Sequence, residues 1–221
     1  MKEHETEPVR GLPERLPAGE SILWQGAPRW GALARRVFHV RKIALYFAIL
    51  LVWLVYGDIA DGIAPEAIVQ SSLWLIGGAS VVIALLSGVA VLITRTTIYT
   101  ITTRRVVLRF GMAFPMAFNL PFRRIRSAGL RLYADGSGDI PLTLGEGDKL
   151  AYVVLWPHAR PWYFSRPEPM LRGLADARQV AEILARALAD DMQTRMPLVP
   201  PDASLSDPLA VSGTPSQAAA A

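Results

Sequence analysis

From Leu73 to Ile93 the chain runs 21 residues without a charged side chain. As a helix this is about 31 Å, the thickness of a bilayer's hydrocarbon core. A second apolar run, Ile43 to Tyr56, has 14 residues and would reach only about 21 Å. It spans by borrowing neighbours such as Ile59 and by letting Arg41 and Lys42 snorkel to the headgroups. Both runs begin well inside the chain, and no small-residue cleavage site follows the first, so neither reads as a cleavable signal peptide. The composition agrees: 52% of the 221 residues are apolar and 19% charged, more apolar than a soluble domain of this size needs.

The flanks set an orientation. Arg29, Arg35, Arg36, Arg41 and Lys42 precede the first run and Arg95, Arg104, Arg105 and Arg109 follow the second. The connecting segment from Gly57 to Ser72 carries Asp58, Asp61 and Glu66 and no Lys or Arg. The positive-inside rule then places both termini in the cytoplasm and the acidic loop outside. Ser80, Ala84 and Gly88 recur every fourth residue on the second run, as do Ala44 and Ala48 on the first. Such stripes let another backbone approach closely, either within the hairpin or from a helix of another membrane protein. Trp53 and Trp74 fall near the outer interface, where indole rings anchor.

Residues 1–28 form an irregular lead-in with Pro8, Pro13 and Pro17, closed by a short strand-like run from Ile22 to a turn at Gly26-Ala27-Pro28. That run can add a strand to the domain beyond the membrane. Over 29–42 the spacing of Trp30, Leu33, Ala34, Val37 and Phe38 predicts a basic interfacial helix, with Arg35, Arg36 and Arg41 largely on other faces. The spans and outer loop occupy 43–93.

Beyond Ile93 the period changes from helical to alternating. Strands are expected over 96–102, 104–110, 117–122, 125–133, 140–144, 150–156 and 162–165, the first two as a hairpin. Glycine-rich turns lie at Asp135-Gly136-Ser137-Gly138 and Gly145-Glu146-Gly147-Asp148. From Asp176, read as an N-cap or a first-turn acid, Val180, Ile183, Leu184, Ala187 and Leu188 trace the apolar face of a helix, with Arg178, Glu182 and Arg186 opposite. The simplest packing is an antiparallel barrel of about seven strands over 94–192, closed or nearly so, with that amphipathic helix capping one end. The tail, 193–221, is rich in Pro, Ser and Ala and reads as disordered.

The chain offers little chemistry. It has no cysteine and only three histidines, His4, His39 and His158, which excludes disulfides, thiolate catalysis and cysteine metal sites. His39 could in principle ligate a metal or a tetrapyrrole magnesium, but no second ligand is visible beside it. Asp135, Asp139, Glu146 and Asp148 lack calcium-loop spacing and suit hairpin turns. No nucleophile elbow, phosphate-binding loop or zinc-protease motif occurs. The chain is therefore read as a binding protein and not an enzyme, with no catalytic residue, metal or cofactor. The net charge of +4 is carried by 23 Lys and Arg, of which 20 are Arg. Between Arg95 and Arg131 there are eight arginines and no acid. Candidate membrane or partner contacts are Trp30, Arg35, Arg36, Arg41, Lys42, Arg104, Arg105, Arg123, Arg124 and Arg126. The attractive reading is docking on anionic headgroups; the plainer one is topology signalling and solvated strand faces. Trp156-Pro157-His158 with Pro161-Trp162-Tyr163-Phe164 is an aromatic cluster expected in the core, with a peptide groove as the alternative.

The segment Tyr99-Thr100-Ile101-Thr102-Thr103-Arg104-Arg105-Val106-Val107, followed by Leu120-Pro121-Phe122-Arg123-Arg124-Ile125, resembles the bacterial pleckstrin-homology-like membrane proteins. Gly11 to Pro17, the Trp24-Gln25-Gly26 turn and Phe38-His39-Val40-Arg41-Lys42 together resemble the photosynthetic reaction-centre assembly proteins of purple bacteria. The likeness covers roughly Pro8 to Asp190. It implies an α+β membrane protein: a two-helix transmembrane hairpin, then a cytoplasmic pleckstrin-homology-like barrel with its capping helix. It further implies a non-enzymatic assembly factor in the bacterial inner, intracytoplasmic membrane. The alternative is a lipid-headgroup sensor unrelated to photosynthesis. Implied partners are reaction-centre membrane subunits, anionic lipid headgroups and a second copy of the chain. Nucleic acid is not among them, because a bilayer tether makes lipid or protein the nearer partner.

Overall fold

The computed structural model describes residues 11–12, 14–111, 116–145 and 151–195. The expected tail from 196 onward, the first ten residues and the turn at 146–148 lie outside the described residues; within the tail assignment, residues 193–195 are helical.

Two helices dominate the first half. α2 (Val40–Ala60) follows a short α1 (Trp30–Arg36), and α3 (Pro65–Thr96) follows α2 after only four residues. Each of α2 and α3 is long and apolar enough to cross a bilayer. The first apolar run gains its length at both ends, from Val40 to Lys42 and from Gly57 to Ala60. The expected sixteen-residue outer loop contracts to Asp61–Ala64. Gly62 turns the chain at φ +70, where glycine carries no steric cost, and Pro65 starts α3 at its first turn, where a missing N–H is harmless. Asp58 stays helical and accepts the Ser71 hydroxyl at 3.0 Å, tying the two helices near this turn.

The expected interfacial helix over 29–42 is broken. His39 sits at φ +51, a left-handed backbone that a right-handed helix cannot continue. Arg41 and Lys42 therefore belong to the first turn of α2. The break frees α1 to pack sideways: Leu33 and Ala34 bury against Ala90 and Ile93 of α3.

The run before α1 forms β1 (Ile22–Gly26), which pairs antiparallel with β2 (Ile98–Thr102). This is the added strand that the sequence suggested. β2 pairs with β3 (Arg105–Phe110) as the expected hairpin, and β3 with β4 (Met116–Pro121). A 3-10 turn, Phe122–Arg124, then carries the chain to a second sheet. There β5 (Ile125–Ala128) and β6 (Arg131–Leu132) pair along one side of β7 (Gly138–Leu144), and β8 (Met170–Leu174) pairs with its other side. The described strands thus form two separate sheets, not a closed barrel. The corner at Phe122–Arg124 keeps β4 and β5 from pairing.

Two further expectations fail locally, and one strand goes unforeseen. Residues 152–155 form one turn of helix, α4 (Tyr152–Leu155), despite their β-forming side chains. The turn delivers Leu155 to the core, and His158 N–H then donates to the Leu155 carbonyl at 2.6 Å. Residues 162–165 are irregular. β8 was not foreseen, because Arg172 and Gly173 interrupt its apolar pattern. The final helix, α5 (Ala177–Arg195), buries Ala177, Val180, Leu184 and Ala187 as its periodicity predicts, against a core of Tyr99, Ile101, Leu108, Ile140, Leu142 and Leu171.

A buried hydrogen-bond chain ties α3 to this core. The Thr97 hydroxyl donates to the Ile93 carbonyl (2.7 Å), and the Arg172 N–H donates to the Tyr99 hydroxyl oxygen (3.2 Å). The imidazole of His158 lies between them, 3.2 Å from Thr97 Oγ1 through Nε2 and 2.7 Å from Tyr99 Oη through Nδ1. Each hydroxyl spends its proton once, so Tyr99 donates to Nδ1 and Nε2–H donates to Thr97. The ring is neutral. Burial, with the Arg172 guanidinium nearby, pulls its pKa down to about 3, and burial pushes the Tyr99 phenol up.

Two outcomes follow from these contacts. The unfolded chain takes up a proton at His158 near its ordinary pKa of about 6.5, while the folded chain refuses it until about pH 3. Stability should therefore be complete above about pH 6.5 and fall as pH drops towards 3. Urea unfolding as a function of pH should show this slope, and His158→Gln should flatten it. Separately, a Cβ at Gly138 would lie 2.6 Å from both Ala177 Cβ and the Arg131 carbonyl oxygen. Gly138→Ala should lower unfolding stability by about 1–3 kcal/mol; an unchanged melting profile would show that α5 does not dock there.

Candidate functional site

α1 is fixed to the second sheet at three points. The Arg29 N–H donates to the Gly173 carbonyl at 2.8 Å. Gly173 itself has φ +62, and a Cβ there would meet Leu33 and Ala32 at 3.1 and 3.2 Å, so only glycine allows this approach without strain. Asp139 is buried and accepts from the Gly173 N–H (2.8 Å) and the Tyr133 hydroxyl (2.6 Å). Arg35 and Arg36 then reach across α1 to opposite oxygens of Asp135 in the β6–β7 turn, each at 2.7 Å. The Ser137 hydroxyl, with the Arg36 guanidinium and the Ser137 N–H, holds the Asp135 carboxyl well below the usual carboxylate range. The Arg36 guanidinium also stacks on Tyr133, 3.4 Å from its ring centroid.

Between this α1 wall and the 151–170 segment lies a cleft of about 1170 Å³. One wall carries Arg35, Arg36, His39 and Lys42, from α1, the break and the first turn of α2. The other carries Tyr152, Trp156, Arg160, Trp162, Tyr163 and Phe164, while Ser127 to Arg131, Tyr133 and Arg172 complete the lining. Phe38 meets Trp156 edge to face at 5.9 Å. Arg160 pairs with Glu168 at 2.7 Å and lies 4.0 Å over the Tyr163 ring. Six cationic side chains, Arg35, Arg36, Lys42, Arg131, Arg160 and Arg172, thus stand on the lining with Asp139, while Asp135 pairs with Arg35 and Arg36 and Glu168 with Arg160. Among the described residues no salt bridge involves Lys42 or Arg131. The two non-glycine residues with positive φ among the described residues, His39 and Trp162 (φ +68), stand on its opposite walls. Such strain gathers where surroundings over-determine a functional geometry.

The sequence-derived contacts divide on this geometry. Arg35, Arg36 and Lys42 line the cleft. Arg41 and Trp30 are exposed outside it. Arg104 is exposed at the end of β2 remote from α3, about 16 Å along the strand. Arg105 pairs with the buried Glu20 through two hydrogen bonds of 2.7 and 3.0 Å, so it is a structural tie and not a free cation. Arg123, Arg124 and Arg126 lie at and after the corner between the sheets, also outside the cleft. Charge counting could not find Arg131, Arg160 and Arg172 as cleft residues, because the fold brings them together from distant segments. The aromatic cluster was visible, but its placement in the core is overturned in part: Trp162 is 84% and Phe164 60% exposed. Pro157 and His158 are interior.

Ser80, Ala84 and Gly88 all face outward, as do Ala44 and Ala48. A Cβ added at Gly88 would meet nothing within 4 Å. The hairpin therefore packs through other faces. Among the described residues no His, Cys, Asp and Glu cluster could hold a metal ion.

Comparison with known proteins gives three findings. The model of the bacterial PH domain family matches residues 32–188. A Rhodobacter capsulatus protein, described as an uncharacterised 23.7 kDa protein in the puhA 5′ region, is 38% identical over 190 residues, covering 85% of this chain and 89% of its own. A crystal structure of a Shewanella loihica protein with a pleckstrin-homology domain aligns over 42% of this chain and 71% of its own, at 13% identity and a TM-score of 0.28.

If the 162–164 segment is surface and not core, Trp162→Ala should change urea-unfolding stability by less than about 0.5 kcal/mol. A loss of about 3–5 kcal/mol, as for a buried indole, would return it to the interior.

Proposed function

This chain belongs to the bacterial PH domain family, and we propose that it is a membrane-anchored assembly factor for the photosynthetic reaction centre, of the PuhB type. In this reading α2 and α3 cross the inner, intracytoplasmic membrane, and both termini and the two-sheet domain lie on the cytoplasmic side. The protein acts by binding during complex biogenesis and catalyses nothing. The observation that carries the reading is the identity, over most of both chains, to a relative lying in the puhA 5′ region. That location fits a photosynthetic role.

The structure supports a means of binding. The outward stripe of Ser80, Ala84 and Gly88 leaves a face of α3 on which a subunit helix, or a second copy, can pack at close range. The Ser80 hydroxyl is already satisfied by the Ile76 carbonyl at 2.8 Å, so it adds no polar cost to that face. A second reading, docking on anionic headgroups with no photosynthetic role, draws on the excess of cations in the cleft.

Deleting the gene in its own photosynthetic host should lower reaction-centre abundance severalfold, read from the near-infrared absorbance of membranes. Normal abundance would contradict the assembly role and leave the second reading. In the intact gene, Ala84→Leu with Gly88→Leu should reduce co-purification of reaction-centre subunits without lowering the level of the protein itself.

A further inference from the structure

The cleft between α1 and the 151–170 segment has features that the assembly role alone does not require. Arg36 is a cation with only 19% of its side chain exposed, and its Nη1 atom is buried with no hydrogen-bond partner among the described residues. Arg36 shares its one carboxylate, Asp135, with Arg35, so this wall keeps a net positive charge that an anionic acceptor in the cleft would offset. Lys42 and Arg131 add charge on the same lining. Nearby, Trp162, Tyr163 and Phe164 expose large rings, the residue types that settle at a headgroup boundary. The position fits as well: α2 is 21 residues long, about 31 Å, so if it spans, its first turn and the adjoining cleft stand at headgroup depth. At about 1170 Å³, the cleft exceeds the range for drug-sized ligands. It has room for a headgroup with the upper part of its chains, far more than a lone phosphate fills.

We propose that this cleft is a binding site for the phosphodiester headgroup of an anionic glycerophospholipid, held by Arg36, Lys42 and Arg131, with the Trp162–Phe164 segment seated in the interface. The inference rests on the bilayer placement of α2 proposed above, but not on the photosynthetic partner. It differs from the expectation of a diffuse basic patch, because Arg104 and Arg123, equally charged, lie outside the site.

The test uses the full chain in a neutral detergent, titrated with short-chain phosphatidylglycerol or phosphatidylcholine and read by native mass spectrometry. One phosphatidylglycerol should bind per chain, about thirty- to a hundredfold more tightly than phosphatidylcholine, the contribution expected of two or three cations at a headgroup. Lys42→Gln with Arg131→Gln should abolish that preference. These two side chains make no salt bridge among the described residues, so the double variant should melt like the wild type. Arg104→Gln with Arg123→Gln should keep the preference. Equal binding of the two lipids, an equal loss in both double variants, or displacement of the lipid by millimolar inorganic phosphate would overturn the proposal. Because membrane extraction behaviour is measured separately on the same preparations, loss of lipid preference in a protein that still fractionates with membranes would sink this site without sinking the membrane placement.

Discussion

The buried imidazole of His158 is the contact on which the arrangement of the two halves depends. A helix ending inside a protein leaves carbonyls that need donors, and Thr97 supplies one for Ile93 at the end of α3. Thr97 is held in turn by the His158 ring, which also accepts from Tyr99 on β2. Helix and sheet are therefore joined by a satisfied polar chain in a dry interior, where any missing member would leave a costly orphan. With the end of α3 fixed, Ala90 and Ile93 present a fixed surface to Leu33 and Ala34, and α1 can lie only where Gly173 makes room for it.

The cleft is a consequence of that docking. α1 stops at a left-handed His39, α2 begins at once, and the basic residues at the break face a segment of aromatic side chains across open space. Asp135 neutralises only part of the charge there, while Glu20 takes Arg105 out of the pool altogether. The arginines of this chain thus do different things. Some build the fold, some sit far from the apolar helices, and a few converge beside the start of α2. On the proposed reading, lipid at the cleft and a subunit helix on the outer face of α3 would meet one rigid body, because α1 touches both.

The parts of the fold that follow a single period were legible in the sequence. The two apolar helices stand out as unbroken apolar runs, and the hairpin around Thr103 and Arg104 and the amphipathic α5 repeat every two or 3.6 residues over enough length to be seen. β8 was hidden because its middle residues are Arg172 and Gly173, a cation hydrogen-bonded to the Pro157 carbonyl and a glycine required by the approach of α1. Residues 152–155 read as strand because Tyr and Val favour it, and tertiary contacts of Leu155 overrode that preference. Barrel closure failed for a similar reason: the turn at Phe122–Arg124 leaves no mark in an alternating pattern. Of the site, the α1 cations and the aromatic cluster could be named in advance. Their union could not, since Arg36 and Asp135 are 99 residues apart and nothing local encodes such a contact.

The central claim is that α2 and α3 cross the bilayer with the domain on the cytoplasmic face. The natural chain has no cysteine, so single cysteines can report it directly. A cysteine at Asp61, in the turn between the helices, should react with a membrane-impermeant maleimide in intact spheroplasts. A cysteine at Arg178, exposed on α5, should react only after permeabilisation. Labelling of Arg178→Cys from outside, or of neither site until the membrane is opened, would contradict the account.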